Sequence, residues 1–182
     1  AAAGDVNSKK PKAPRNPNPE LDQHNPYVCY NGMIDPLIPY AIKGALWYQG
    51  ESNGPSAKVY REIMETLVAD WRTRWTQGNF PFLYVQLANI GKPMTQPVQD
   101  NSMMTVREAQ MQNLSIPNTA MAVAIENAGN DPENVHPKNK QVIGYRLGLA
   151  ARAKVYGEKV EYSGPMYKNY KVEGSTVRLS FD

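Results

Sequence analysis

An α/β fold, a parallel sheet with helices on both faces, is predicted by three observations. Short apolar runs alternate with helical periodicities in the order strand, helix, strand, helix, strand, helix. Each such crossover has to be right-handed, which lays its helix over the sheet. The 182 residues, 41% hydrophobic and 20% charged, are enough for one domain with a hydrophobic core and ordinary for a globular protein.

Residues 1–26 carry Pro11, Pro14, Pro17, Pro19 and Pro26 among Lys, Asn and Asp, with almost nothing apolar. Such a stretch cannot bury enough surface to offset its ordering entropy, so it reads as an extended arm or linker. From Tyr27 the pattern changes to regular elements, and residues 27–160 read as the α/β domain. Ala41–Gln49 ends in a short apolar run that suits a buried strand. Ser56–Trp75 reads as a helix, because Val59, Ile63, Leu67, Trp71 and Trp75 recur every four residues and Met64 and Val68 widen the stripe. Pro55 and Ser56 supply its start signals. Pro81–Ala88 is the second strand. Thr105–Leu114 is the next helix, opened by Thr105 with Glu108 at capping-box spacing. Ala120–Ile125 is the third strand. Lys138–Tyr156 is a helix with Val142, Leu149 and Ala153 on one face, Ile143, Leu147 and Ala150 beside it, and Gly157 as its stop. Residues 161–182 read as the start of a β-rich extension, with Val177–Phe181 alternating cleanly.

Composition excludes several classes. The net charge of +3 is diffuse: in the first 24 residues four cations face three carboxylates, and the remaining +2 forms no stripe that could track phosphates. No nucleic-acid partner is expected. No apolar run approaches the roughly 20 residues that span a bilayer, so no membrane partner is expected either. The N-terminus lacks a basic region followed by an apolar core, so a signal peptide was removed or the chain begins inside something longer. The single cysteine, Cys29, allows no internal disulfide framework. It has no adjacent base or metal-ligand spacing, and reads as a small buried apolar residue.

Ligands of open parallel sheets sit beyond the carboxyl ends of the strands. Two polar loops fall there: Gln49–Pro55 after the first strand and Glu126–Pro137 after the third. The first can be read in two ways. Gly50-Glu51-Ser52-Asn53-Gly54 fits a G-x-S-x-G nucleophile elbow, with Ser52 attacking an ester. Alternatively the loop holds anionic oxygen, the Gly50 N–H and the Asn53 side chain being the two donors, with Gln49 and Glu51 part of the same binding loop. A plain polar turn satisfies the same residues. The delayed helix start at Pro55 and Ser56 disfavours the elbow. Of the two histidines, His24 lies in the arm and reads as solvated. His136 stands at the entry to a helix on the sheet's carboxyl rim, where it can serve as a general base near neutral pH. Glu133, three residues upstream, is the choice by spacing and charge for the group that orients its ring; Asn134 and Asp131 are the alternatives.

Four blocks carry a more specific signal: Tyr30-Asn31-Gly32-Met33-Ile34, Trp47-Tyr48-Gln49-Gly50-Glu51-Ser52-Asn53, Arg107-Glu108-Ala109-Gln110 and His136-Pro137-Lys138-Asn139-Lys140-Gln141. In order and spacing they resemble those of sialate O-acetylesterases, over about residues 27–165. The resemblance implies a three-layer α/β/α fold like that of SGNH hydrolases, here in part. It also implies removal of O-acetyl groups from sialic acids and other sugars by serine-type acyl transfer, without a metal or other cofactor. Its oxyanion glycine and asparagine match Gly50 and Asn53, and its histidine matches His136. The family's nucleophile lies in a G-Q-S-N block well before Y-N-G-M, and these 182 residues contain no such block. The implied serine therefore comes from outside the chain, and the implied partners are an acetylated carbohydrate and the missing N-terminal segment. The family often has an Asp shortly before the histidine, where this chain has Glu133 and Asn134. The resemblance leans to a secreted or periplasmic setting. An esterase sufficient in itself through Ser52, and an inactive carbohydrate-binding remnant or truncated form, are the competing readings. Arg107 and Gln110 read as a solvated or strand-bracing pair, and Trp47, Trp71 and Trp75 as packing.

Overall fold

The computed structural model describes residues 25–91, 94–96, 101–125 and 134–182. The predicted arm, except Asn25 and Pro26, lies outside the described residues, as does His24. Two units separate, residues 1–40 and 41–182. In the first, a π-helical turn, Tyr30–Ile34, leads into a single 3-10 turn, Asp35–Leu37, closed by the Ile38 N–H on the Asp35 carbonyl. Cys29 is exposed there, not buried as its residue type suggested. The short helical turns around it contain no buried residue.

The second unit is built on a parallel sheet in the order β1 (Ala45–Trp47), β2 (Phe82–Gln86), β3 (Thr119–Val123). Helices α1 (Tyr60–Trp75), α2 (Ser102–Gln112) and α3 (Lys140–Lys154) follow the three strands in turn. A separate antiparallel pair, β4 (Tyr167–Glu173) and β5 (Thr176–Phe181), ends the chain.

All five residues of β2 are buried, as a central parallel strand requires. Because side chains alternate along a strand, its two sets of residues meet different helices. Leu83 and Val85 face α3, in clusters with Ala120, Ala124, Ile143 and Ala150. Phe82 and Tyr84 face the other way: Phe82 packs on Trp71 of α1, and the Tyr84 hydroxyl donates to the Gln110 carbonyl of α2 at 2.7 Å. The result is a three-layer arrangement, with alanines on β3 leaving room for α3 to approach. Leu46 of β1 points to the α3 side and is 65% exposed, since α3 packs chiefly on β3 and β2.

The elements differ from the predicted ones for local reasons. Strand β1 shrinks to three residues because only Ala45, Leu46 and Trp47 find register partners on β2. Upstream, the Gln77 side chain takes both backbone groups of Ile42, at 3.0 Å each. Gly44 permits the close entry: a Cβ there would lie 2.8 Å from the Pro81 carbonyl oxygen. Regular α-helix begins at Tyr60, not Ser56, after a 3-10 stretch, Glu51–Val59, interrupted by non-helical Ser56. The buried stripe of α1 is therefore Tyr60, Met64, Val68, Arg72 and Trp75, rotated from the predicted one, and Ile63 is exposed. Arg72 can sit inside because its guanidinium donates to the Phe80 and Pro117 carbonyls. Helix α2 starts three residues earlier than predicted. Its cap is Asn101, whose side chain accepts from the Met103 and Met104 N–H groups, and Thr105 lies inside the helix. The tryptophans do pack: Trp71 contacts Trp47 and Trp75 at 5.8 and 5.7 Å.

Leu83→Ala should lower stability by about 2–5 kcal/mol, because a cavity on the α3 face cannot collapse against alanine neighbours. The midpoint of urea unfolding measures this; a loss below about 1 kcal/mol, well under the usual range for such deletions, would mean the interface is looser than the packing indicates.

Candidate active site

Past the end of β1 the chain turns sharply at Gly50, which has φ 139° and is buried. A Cβ at this position would meet Leu87 Cδ1 and the Tyr60 hydroxyl at 3.2 Å, and Gln110 Nε2 at 3.4 Å. Both the backbone angle and the space therefore demand glycine. The Asn53 N–H closes the turn on the Gly50 carbonyl at 2.9 Å. No hydrogen bond from the Gly50 N–H reaches a described residue.

The loop is held from inside. The Gln49 side-chain amide donates to Asn53 Oδ1, and Asn53 Nδ2 reaches Ser56 Oγ at 3.3 Å. The main-chain carbonyl of Gln49 accepts from the Tyr60 hydroxyl at 3.1 Å and from Gln110 Nε2 at 3.3 Å. Gln110, 1% exposed, also accepts from the Leu87 N–H at 3.0 Å and donates to the Val85 carbonyl at 3.2 Å. Beside it Gln86 Nε2 donates to the Arg107 carbonyl, and Arg107 to the Ala88 carbonyl. Arg107 and Gln110 thus brace the strand ends. Burial, followed by the nearby Glu51 charge, pushes the Tyr48 hydroxyl above its ordinary range. Burial does the same for Tyr60, with Glu51 adding to it and the Gln110 and Trp47 contacts opposing it. Both stay protonated at neutral pH.

The segment after β3 carries the second group. Pro137 is buried while His136 beside it is exposed. The His136 backbone N–H donates to Asn134 Oδ1 at 2.8 Å, so the Asn134 carbonyl oxygen is occupied by main chain. Glu133 and Asp131 lie outside the described residues. Asn139 caps α3 by accepting from the Val142 N–H. Lys140, in the first turn of α3, sets its ammonium 4.5 Å from the Tyr48 ring centre and 3.5 Å from the Tyr48 hydroxyl. This contact ties the loop after β3 to the residue before Gln49, and both segments follow the carboxyl ends of strands. Ser52 is exposed in the 3-10 stretch, well ahead of α1.

Two contributors escaped the sequence reading: Tyr60 and the Tyr48–Lys140 contact. Tyr60 carries a signal, an aromatic with a polar tip four residues before Met64, but the four-residue spacing from Val59 masks it. The Tyr48–Lys140 pair, 92 residues apart in sequence, had none.

The family model for carbohydrate esterases described as sialic acid-specific acetylesterase matches residues 24–152. Sialate O-acetylesterase of Mus musculus is 36% identical over 174 residues, an alignment covering 85% of this chain and 32% of that protein. The Homo sapiens sialate O-acetylesterase is 36% identical over 156 residues, covering 76% and 29%. A carbohydrate acetylesterase of known crystal structure from Xanthomonas citri is similar with a TM-score of 0.75 and 41% identity, over 84% of this chain and 35% of that one. The chain spans about a third of the length of the curated relatives it matches.

Gly50→Ala should destabilise the protein by at least about 1–3 kcal/mol, the cost of a side chain held in sparsely populated backbone. Chemical denaturation checks this, and a variant as stable as the parent would show that the turn relaxes to an ordinary conformation.

Proposed function

Because this chain belongs to the sialic acid-specific acetylesterase family of carbohydrate esterases, we propose that it supplies part of the active site of an O-acetylesterase acting on sialic acid or other acetylated sugars. The observation that carries the proposal is the Gly50–Asn53 turn: a buried glycine at positive φ, beyond the carboxyl end of β1, with the asparagine folded back onto it. A backbone N–H and a side-chain amide in such a turn suit a tetrahedral oxyanion.

In this reading a serine from outside these residues attacks the acetyl carbonyl carbon, and His136 takes the hydroxyl proton. The Gly50 N–H and Asn53 Nδ2 hold the negative oxygen. The bond to the sugar oxygen breaks and His136 returns the proton to that oxygen, leaving an acetyl-serine. Water, deprotonated by His136, then releases acetate. Glu133 orients the imidazole, Glu51 belongs to the substrate-binding loop, and Gln49 holds Asn53 from within that loop. No metal or cofactor takes part. The partners are the acetylated carbohydrate and the segment carrying the nucleophile, without nucleic acid or membrane. Among the described residues no helix is long and apolar enough to cross a membrane.

The test compares hydrolysis of an acetylated chromogenic ester by the 182-residue chain and by the same chain joined to an upstream segment bearing the G-Q-S-N block. The joined protein should be active and the chain alone nearly inert, with residual oxyanion and binding effects worth roughly 10³–10⁴ over water. In the joined protein Asn53→Ala should lower kcat about 10²–10³-fold, and His136→Ala should abolish turnover almost completely. Equal rates for the two lengths would place the nucleophile within these residues. Mapping a fluorophosphonate adduct then decides whether it is Ser52, which is expected to stay unlabelled.

A further inference from the structure

The Gln49–Gly50 peptide is a rigid trans plane, with its carbonyl and its N–H pointing in opposite directions. Whatever fixes the Gln49 carbonyl therefore aims the Gly50 N–H. Two side chains fix it, one from each helix on that face: the Tyr60 hydroxyl of α1 at 3.1 Å and Gln110 Nε2 of α2 at 3.3 Å. Neither donor is free to swing. Gln110 is pinned at both ends of its amide, by the Leu87 N–H and the Val85 carbonyl. Tyr60 is 2% exposed, and its hydroxyl stays protonated because burial disfavours the phenolate.

The same hydroxyl reaches the other half of the turn. Gln49 Oε1 lies 3.3 Å from the Tyr60 oxygen, within range of the same hydrogen, and the Gln49 amide nitrogen in turn holds Asn53 Oδ1. Gly50 is thus governed through the main chain of Gln49, and Asn53 through its side chain. Resting on the oxyanion reading above, we infer that Gln110 and Tyr60 are positioning residues. They aim the Gly50 N–H and the Asn53 amide at the oxyanion of the ester intermediate without touching the substrate. The pairing of a Gln on α2 with a Tyr on α1 makes the geometry of the turn depend on how the two helices dock, not on the loop alone.

The test uses the 182-residue chain, labelled with nitrogen-15, and acetate as the probe, since the released acid presents a carboxylate oxygen to the same donors. In the native chain acetate should shift the Gly50 amide and the Asn53 side-chain amide resonances. Tyr60→Phe and Gln110→Met should each move the Gly50 resonance without acetate present. Each should also raise the acetate Kd roughly five- to tenfold, about the worth of one hydrogen bond. The resonances of Ala120 and Ala150, on the opposite face of the sheet, should stay in place, which a general loosening of the fold would not allow. Tyr60→Phe keeps the ring and its packing, so it provides a folded variant even if Gln110→Met does not fold. Native acetate affinity and an unmoved Gly50 resonance in Tyr60→Phe would overturn the positioning role while leaving the oxyanion reading intact. Acetate that moves neither Gly50 nor Asn53 in the native chain would overturn the oxyanion reading, and this inference with it.

Discussion

Where a parallel ladder ends, the last backbone groups of each strand still need partners, and buried ones have no water to turn to. At the carboxyl ends of β1 and β2 one side chain, Gln110, meets much of that need. Its amide serves Leu87 and Val85 on one strand extension and Gln49 on the other. An uncharged side-chain amide offers two N–H donors and a carbonyl acceptor in one plane, which is what two main-chain carbonyls and an N–H together demand. The placement of α2, the exit of the chain from β1 and the shape of the Gly50–Asn53 turn all hang on this contact. A charged residue could bond only one kind of group here and would bear the cost of burial as well.

The sheet supplies the rigidity on which that contact rests. Strand β2 is buried along its whole length, and its alternation divides the work. Leu83 and Val85 anchor α3, whereas Phe82 and Tyr84 anchor α1 and α2. The helix that provides Lys140 and the helices that provide Tyr60 and Gln110 are thus registered against opposite faces of one strand. Tyr48 and Lys140 then meet at the carboxyl end of the sheet, where a cation over an aromatic ring links the two sides. On this rim Ser52, His136 and Lys140 are exposed, whereas Tyr60 and Gln110, which hold the Gly50 turn from beneath, are buried.

Parts of this were legible in the chain itself. The alternation of apolar runs with periodic segments reflects burial patterns that repeat locally, every second or every third to fourth residue, so the order of elements and the parallel α/β class could be read directly. The four sequence blocks resembled the acetylesterase family to which the chain belongs. Element boundaries were less accessible. Thr105 had capping-box spacing, yet Asn101 caps α2, because its extended backbone leaves its carboxamide facing two free N–H groups. The four-residue spacing points to a stripe from Val59, yet Tyr60 is the buried residue, because the 3-10 stretch from Glu51 changes the phase at which the α-helix begins.

By itself, then, the sequence determined the layer architecture, the glycine at position 50 and the identities of the polar residues after β1 and β3, because these depend on local periodicity and residue type. Only the tertiary structure decided which of those residues hold one another. Tyr60 lies 11 positions from Gln49, Gln110 lies 61 and Lys140 stands 92 from Tyr48. A hydrogen bond across such separations has no periodicity to betray it. It exists because β1 and β2 pair in one register and two helices dock on the same strand face, and those are properties of the folded chain as a whole.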